Sequence, residues 1–182
     1  KGRIKQTDES VPYLYDGYYY YTRFEEGFEY PIYCRKNGDL EAEEQIILDV
    51  NELAKDYSYY QAAGNSISTN NNILAFSEDT LSRRVYTIRF KDLSTGEFLE
   101  DRIENTAGGC TWANDNKTIF YTVKDPVTLR SYKVFKHILG TPASEDIEVY
   151  HEEDETFNVG VSKFKSKKWL FIHSGATVSD EY

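Results

Sequence analysis

Methionine is absent from this chain, cysteine occurs twice and proline four times in 182 residues, and no apolar run is long enough to span a bilayer as a helix. Each shortage closes off a class of protein. Cys34 and Cys110, far apart in sequence, cannot supply a disulfide framework or a metal knuckle, so they are expected to be buried, inert thiols of a cytoplasmic protein in a reducing compartment. No secretory leader is visible. Basic residues are also scarce, 21 Lys and Arg against 31 Asp and Glu, and the net charge of −10 repels phosphate backbones and anionic lipid. Neither nucleic acid nor a membrane is an expected partner, whereas a cationic ligand would be drawn inward.

The motifs that carry chemistry are missing as well. A nucleophile elbow reads Gly-x-Ser-x-Gly, and the nearest string, Gly64-Asn65-Ser66-Ile67-Ser68, lacks the second glycine. Ser66 is therefore not taken as a nucleophile. Of the three histidines, His151 is followed by Glu152, Glu153, Asp154 and Glu155, but a zinc-protease helix needs a second histidine where Glu155 stands. His137 sits at a strand end with no nucleophile near it in sequence, and His173 follows an apolar burst as an ordinary strand residue. Walker and Gly-x-Gly-x-x-Gly loops are absent too. No catalytic, cofactor-binding or metal-binding residue is expected in these 182 positions. Asn116-Lys117-Thr118 is a formal glycosylation sequon, read as accidental turn chemistry.

What the chain has in quantity is aromatic residues, sixteen Tyr and ten Phe, a composition that favours strands. They fall into a repeat. A turn of Asn, Asp, Lys or Ser is followed at once by an apolar burst in Asn70-Asn71-Asn72-Ile73-Leu74-Ala75-Phe76, in Asn114-Asp115-Asn116-Lys117-Thr118-Ile119-Phe120, and in Ser166-Lys167-Lys168-Trp169-Leu170-Phe171. Taking Phe76, Phe120 and Phe171 as equivalent gives spacings of 44 and 51 residues, the range of repeated β-blades. A diverged earlier copy is Asp16-Gly17-Tyr18-Tyr19-Tyr20-Tyr21-Thr22. A four-stranded antiparallel sheet cannot bury both faces alone, so such blades must stack.

The expected fold is all-β, a partial β-propeller of about three and a half four-stranded antiparallel blades, with approximate limits 11–56, 57–106, 107–156 and an incomplete 157–182. Within it, Gly17–Phe24 and Glu29–Arg35 read as a hairpin, with Pro31 at a bulge or edge because it lacks a ladder donor. Lys1–Ser10 is polar and reads as frayed, with regular structure from Val11. Asp49 is placed to cap one short helix through Ala54. Strands follow at 60–62, 64–68, 73–79, 84–92 and 98–103, with Tyr86, Ile88 and Phe90 on the buried side of theirs. Gly108-Gly109 opens the next repeat, its glycines pointing either to close backbone approach or to simple turn chemistry. The acidic stretch from Glu145 to Glu155 and the group Asp39, Glu41, Glu43, Glu44 read as a solvated rim.

Several strings resemble the prolyl oligopeptidase family of serine peptidases, in its oligopeptidase B branch. They are Ser10-Val11-Pro12-Tyr13, Tyr30-Pro31-Ile32-Tyr33-Cys34-Arg35, Glu44-Gln45-Ile46-Ile47-Leu48-Asp49 and, most specifically, Leu139-Gly140-Thr141-Pro142-Ala143-Ser144-Glu145-Asp146. The resemblance covers nearly the whole chain. It implies the first half of a seven-bladed propeller whose partners are the remaining blades and a C-terminal α/β-hydrolase domain, absent from 1–182, that holds the catalytic triad. It also implies a parent that cleaves short basic oligopeptides after Arg or Lys, with the propeller as a size filter and the piece itself inactive. An incomplete ring would leave apolar faces open, so self-association is expected. Two other readings stand beside this one: a non-enzymatic platform for protein binding, and a carbohydrate-binding domain using the tyrosine cluster.

Overall fold

The computed structural model describes residues 8–176 and 180–181, whose contacts fall into two compact units, Lys1–Tyr60 and Gln61–Tyr182. The first unit holds β1 (Asp8–Glu9), β2 (Tyr13–Tyr15), β3 (Tyr18–Phe24), β4 (Ile32–Asn37), β5 (Glu44–Asp49) and α1 (Val50–Ala54). Its sheet is antiparallel in the order β1, β3, β4, β5, with β2 also paired to β3. Asp16 and Gly17, both at positive φ, turn the chain from β2 into the tyrosine run. Along that run Tyr20 and Tyr21 are buried, and Tyr21 packs with Ile32 and Cys34.

Two expectations are corrected here. Regular structure begins before Val11, because Asp8 and Glu9 pair with Phe24 and Arg23; the rest of the polar segment, residues 1–7, lies outside the described residues. Pro31 occupies neither bulge nor ladder but lies just ahead of β4, where its carbonyl accepts from Val50 N–H at 3.3 Å. The bulge falls between Tyr33 and Cys34 instead. The helix forms as its cap dictates: Asp49 Oδ1 accepts from Asn51 N–H at 2.9 Å and Glu52 N–H at 3.4 Å. Among the described residues α1 is the only α-helix, and no helix is long and apolar enough to cross a membrane.

The second unit contains β6 (Gln61–Ile67), β7 (Ile73–Asp79), β8 (Tyr86–Asp92), β9 (Phe98–Trp112), β10 (Thr118–Lys124), β11 (Ser131–Ile138), a 3-10 turn (Ala143–Glu145), β12 (Ile147–His151), β13 (Asn158–Lys163), β14 (Leu170–Gly175) and β15 (Asp180–Glu181). Strands β6 to β12 run in sequence order through one antiparallel sheet, and β13 to β15 form another. The three repeated bursts occupy β7, β10 and β14, each the second strand of its set. In β8, Ile88 and Phe90 are fully buried and Tyr86 half-buried, as the alternation predicts. Phe90 meets Trp112 edge-on, with Ile103, Ile119 and Tyr121 in the same core. Burying a side chain of this size is worth about 1.5–3 kcal/mol, so this cluster holds the unit together.

Strand β9 departs from expectation. The stretches 98–103 and 108–112, expected as separate elements, form one fifteen-residue strand, whose pairing passes from β8 to β10 at Thr106. Its first part pairs with β8, Ile103 opposite Ile88, and its last part with β10, Trp112 opposite Ile119. One backbone therefore closes one four-stranded set and begins the next. Gly108 and Gly109, at φ +90° and +84°, let the strand swivel without ending it. The break expected at Ala63 is likewise a bulge within β6.

Neighbouring sets are joined at equivalent positions. Asn70 N–H donates to Asn116 Oδ1 at 2.8 Å, Asn114 Nδ2 to the Lys167 carbonyl at 2.8 Å, Trp112 Nε1 to the Ser66 carbonyl at 3.1 Å and Thr111 Oγ1 to the Val161 carbonyl at 2.9 Å. These partners are 46 to 53 residues apart, close to the repeat length, so the turns that mark the repeat in sequence also stitch its copies together. Gly64 shows how closely the backbones approach: a Cβ there would lie 2.6 Å from Gly109 Cα.

Candidate functional site

Two polar clusters, one half-buried and one buried, organise the sheets. In the first unit Tyr21 donates its hydroxyl to Glu44 Oε2, and Arg23 bonds the same carboxylate through Nη2 at 3.0 Å. Burial, then the bond to Glu44, raises the Tyr21 pKa well above its usual value. In the second unit Tyr121 Oη donates to Asp146 Oδ2 at 2.7 Å, while Asp146 Oδ1 lies 2.7 Å from His137 Nδ1. The other ring nitrogen of His137 faces Asp101 Oδ1 at 3.2 Å, and that oxygen accepts Gly140 N–H at 2.6 Å. His137 is 1 % exposed and Phe90 stacks on its ring. The cluster fixes both ends of the 139–146 segment, so His137 is a structural clamp.

The sequence-flagged groups are dispersed. Ser66 and His173 both line a shallow groove of 390 Å³ with Gly64, Gly109, Cys110 and Gly160, but no hydrogen bond joins them. His173 lies across Gly160, where a Cβ would come within 2.3 Å of the imidazole. His151 is exposed, 3.9 Å from Glu148 and edge-on to Tyr132. Among the described residues no group of His, Cys, Asp and Glu could hold a metal ion, and in the His137 cluster both ring nitrogens are already engaged by carboxylates. Burial pushes the Cys34 and Cys110 thiols up to about 12, too high for thiolate chemistry near neutral pH. The sequon residue Asn116 is occupied by the turn bonds to Asn70 and Asn114.

The acidic stretch is only in part a solvated rim. Asp146 is buried beneath it, and Glu152 accepts from Ser174 Oγ and Tyr150 Oη. The Ser174 bond, foremost, holds the Glu152 pKa low. Arg130 ties the following loop down by donating to the Asp154 and Phe157 carbonyls at 3.0 and 2.9 Å. In the other acidic group, Glu44 belongs to the Tyr21 cluster.

A concave feature of 970 Å³ lies between the β7–β8 and β10–β11 loops, floored by β9. Glu78, almost fully buried in its wall, pairs with Arg89 and Arg102, each at 3.3 Å. Four non-glycine residues around it, Ser82, Arg84, Asn105 and Leu129, hold φ between +55° and +61°. Such backbone costs about 1–2 kcal/mol per residue and concentrates at functional sites.

Residues 1–182 match the family described as prolyl oligopeptidase, N-terminal beta-propeller domain. The chain is 43 % identical to dipeptidyl aminopeptidase BI of Pseudoxanthomonas mexicana, across 98 % of this chain and 27 % of that protein. It is 33 % identical to Protease 2 of Moraxella lacunata, with the same coverage of each. Among solved structures it superposes on oligopeptidase B of Leishmania major with a TM-score of 0.90 at 35 % identity, across 94 % of this chain and 24 % of that one. The chain thus spans about a quarter of the length of these relatives. The strand pattern and these likenesses together place the chain in the prolyl oligopeptidase family, as N-terminal β-propeller sequence forming a partial propeller.

Proposed function

We propose that this chain is the gating propeller of a serine peptidase that cuts short peptides after Arg or Lys, and that cleavage is carried out by a C-terminal domain outside residues 1–182. The observation that carries this reading is the likeness to oligopeptidase B at a TM-score of 0.90. The propeller's part is exclusion: a closed site admits small or flexible peptides and keeps out folded chains. The net charge of −10 favours capture of cationic peptides, an attraction that salt should weaken.

A second reading is favoured by the 43 % identity to a dipeptidyl aminopeptidase, namely release of dipeptides from a free N-terminus. The full-length parent separates the two when given a peptide with an internal Lys, N-terminally free or acetylated. Cleavage after Lys in both supports the first; cleavage of the free form alone, two residues in, replaces it with the second. A parent that cleaves neither would point to the protein-binding platform. We also place the protein in the cytoplasm, on the scarcity of cysteine, and propose that the isolated chain self-associates. Light scattering that finds only monomer would remove the latter.

A further inference from the structure

The cavity between the β7–β8 and β10–β11 loops has a charge balance unlike that of the chain around it. Each carboxylate in its lining is engaged. Glu78 pairs with Arg89 and Arg102, Glu104 with Arg102 at 3.5 Å, and Asp79 accepts the Leu81 and Arg84 N–H groups at 2.9 and 2.8 Å. Two cations of the lining form no ion pair among the described residues: Arg83, exposed on its loop, and Lys124, whose Nζ donates to the Arg84 carbonyl at 2.7 Å and lies 5.7 Å from the Tyr86 ring. Burial, then the neighbouring Arg84, holds the Lys124 pKa below its usual value, against a smaller opposing pull from Asp79. In a protein of net charge −10 this lip sets three cations, Arg83, Arg102 and Lys124, against three carboxylates, and two of the cations stand outside any ion pair.

Beside the cations the walls are apolar. Val85, Val123, Leu129 and Tyr132 line them, and the loop tips present Leu81 and Val127 at 74 % and 87 % exposure. A volume of 970 Å³ is within the span of ligand cavities, roughly 300–1,000 Å³. A charged lip next to apolar walls matches a chain end, which carries its carboxylate on the backbone directly beside its last side chain.

Resting on the peptidase reading above, we propose that this cavity docks the C-terminal end of an oligopeptide, the terminal carboxylate held by Arg83 and Lys124 and the last side chains laid against Val123, Leu129 and Tyr132. A site that reads the end of a chain selects for short peptides by chemistry as well as by size.

The test uses the full-length parent and an uncleavable pentapeptide ending in Leu, followed by calorimetry as free acid, as C-terminal amide, and as an amide with Asp in the last place. The free acid should bind about tenfold more tightly than the amide, as expected for charge-assisted bonds. Arg83→Ala and Lys124→Gln should each shrink that ratio, and together bring it to about one. Equal affinity of acid and amide in the unaltered protein, or a ratio that survives both substitutions, would overturn the proposal. So would an Asp-ending amide that binds as well as the acid, since a side-chain carboxylate would then suffice. Binding is read without turnover, so failure to hydrolyse a cleavable version sinks the peptidase reading and leaves this comparison standing.

Discussion

The Tyr21 cluster of the first unit and the Tyr121 cluster of the second solve one problem with different parts. In each, a buried tyrosine on the second strand of a set donates to a carboxylate at the start of the fourth, Glu44 at the head of β5 and Asp146 just before β12. The cation differs. Arg23 is always charged and keeps 21 % of its side chain in water, whereas His137 is sealed at 1 % and takes a second carboxylate, Asp101. A guanidinium can share one carboxylate near solvent; the buried imidazole lies between two carboxylates, Asp146 at Nδ1 and Asp101 at Nε2, and the second draws a third strand into the cluster.

The largest effect that could break this comparison is loss of the buried carboxylate. Asp146→Ala should cost about 1–3 kcal/mol for each of two buried groups, because it leaves the Tyr121 hydroxyl and His137 Nδ1 without their partner while Asp101 still faces Nε2. Glu44→Ala, with Arg23 free to turn to water, should cost about 1 kcal/mol. Chemical denaturation of the two variants measures both, and equal losses would mean that depth of burial does not separate the clusters.

A smaller difference sharpens the contrast through backbone. Gly17 in the first unit and Gly64 in the second share a left-handed φ, +82° and +63°, but a Cβ at Gly17 meets nothing within 4 Å. Gly17→Ala should therefore register conformational strain alone, about 1 kcal/mol. Gly64→Ala should add about 1–3 kcal/mol of overpacking against Gly109. Thermal melts that rank the two in reverse would refute the close approach of β6 and β9.

The smallest effect concerns acid. Bonds from the Ser94 side chain hold the Asp92 pKa below 3.8, and the Thr128 backbone N–H, foremost, does the same for Asp125. A depressed carboxylate contributes stability that is complete above the unfolded-state value and is lost as pH falls through the folded one. The melting temperature should thus be flat from neutral pH down to about 4 and decline below it. Asp92→Asn and Asp125→Asn should flatten that decline slightly.

Much of the fold was legible because its marks are local. Turn residues followed at once by Ile73–Phe76, Ile119–Tyr121 or Leu170–Ile172 are read within a few positions, and they fell on corresponding strands. The glycines were half legible: the close backbone approach expected at Gly108-Gly109 is present against Gly64, but the breaks read at Gly64, Gly108 and Gly109 are swivels inside continuous strands. The polar clusters were illegible for another reason. Asp101 and His137 are 36 residues apart, and nothing in their neighbourhoods says that they meet. Nor does an acidic run reveal which member is buried: Asp146 is sealed while Glu145 beside it is exposed. The cavity, assembled from three separated segments, left no signal beyond its loop residues.

Strand β9 bears on how this protein comes apart. Because a single backbone belongs to two successive four-stranded sets, neither set can detach its share without tearing hydrogen bonds from the other. Heat or pulling force should thus meet a coupled pair that yields in one event, and a nick between Asn105 and Gly109 should uncouple it.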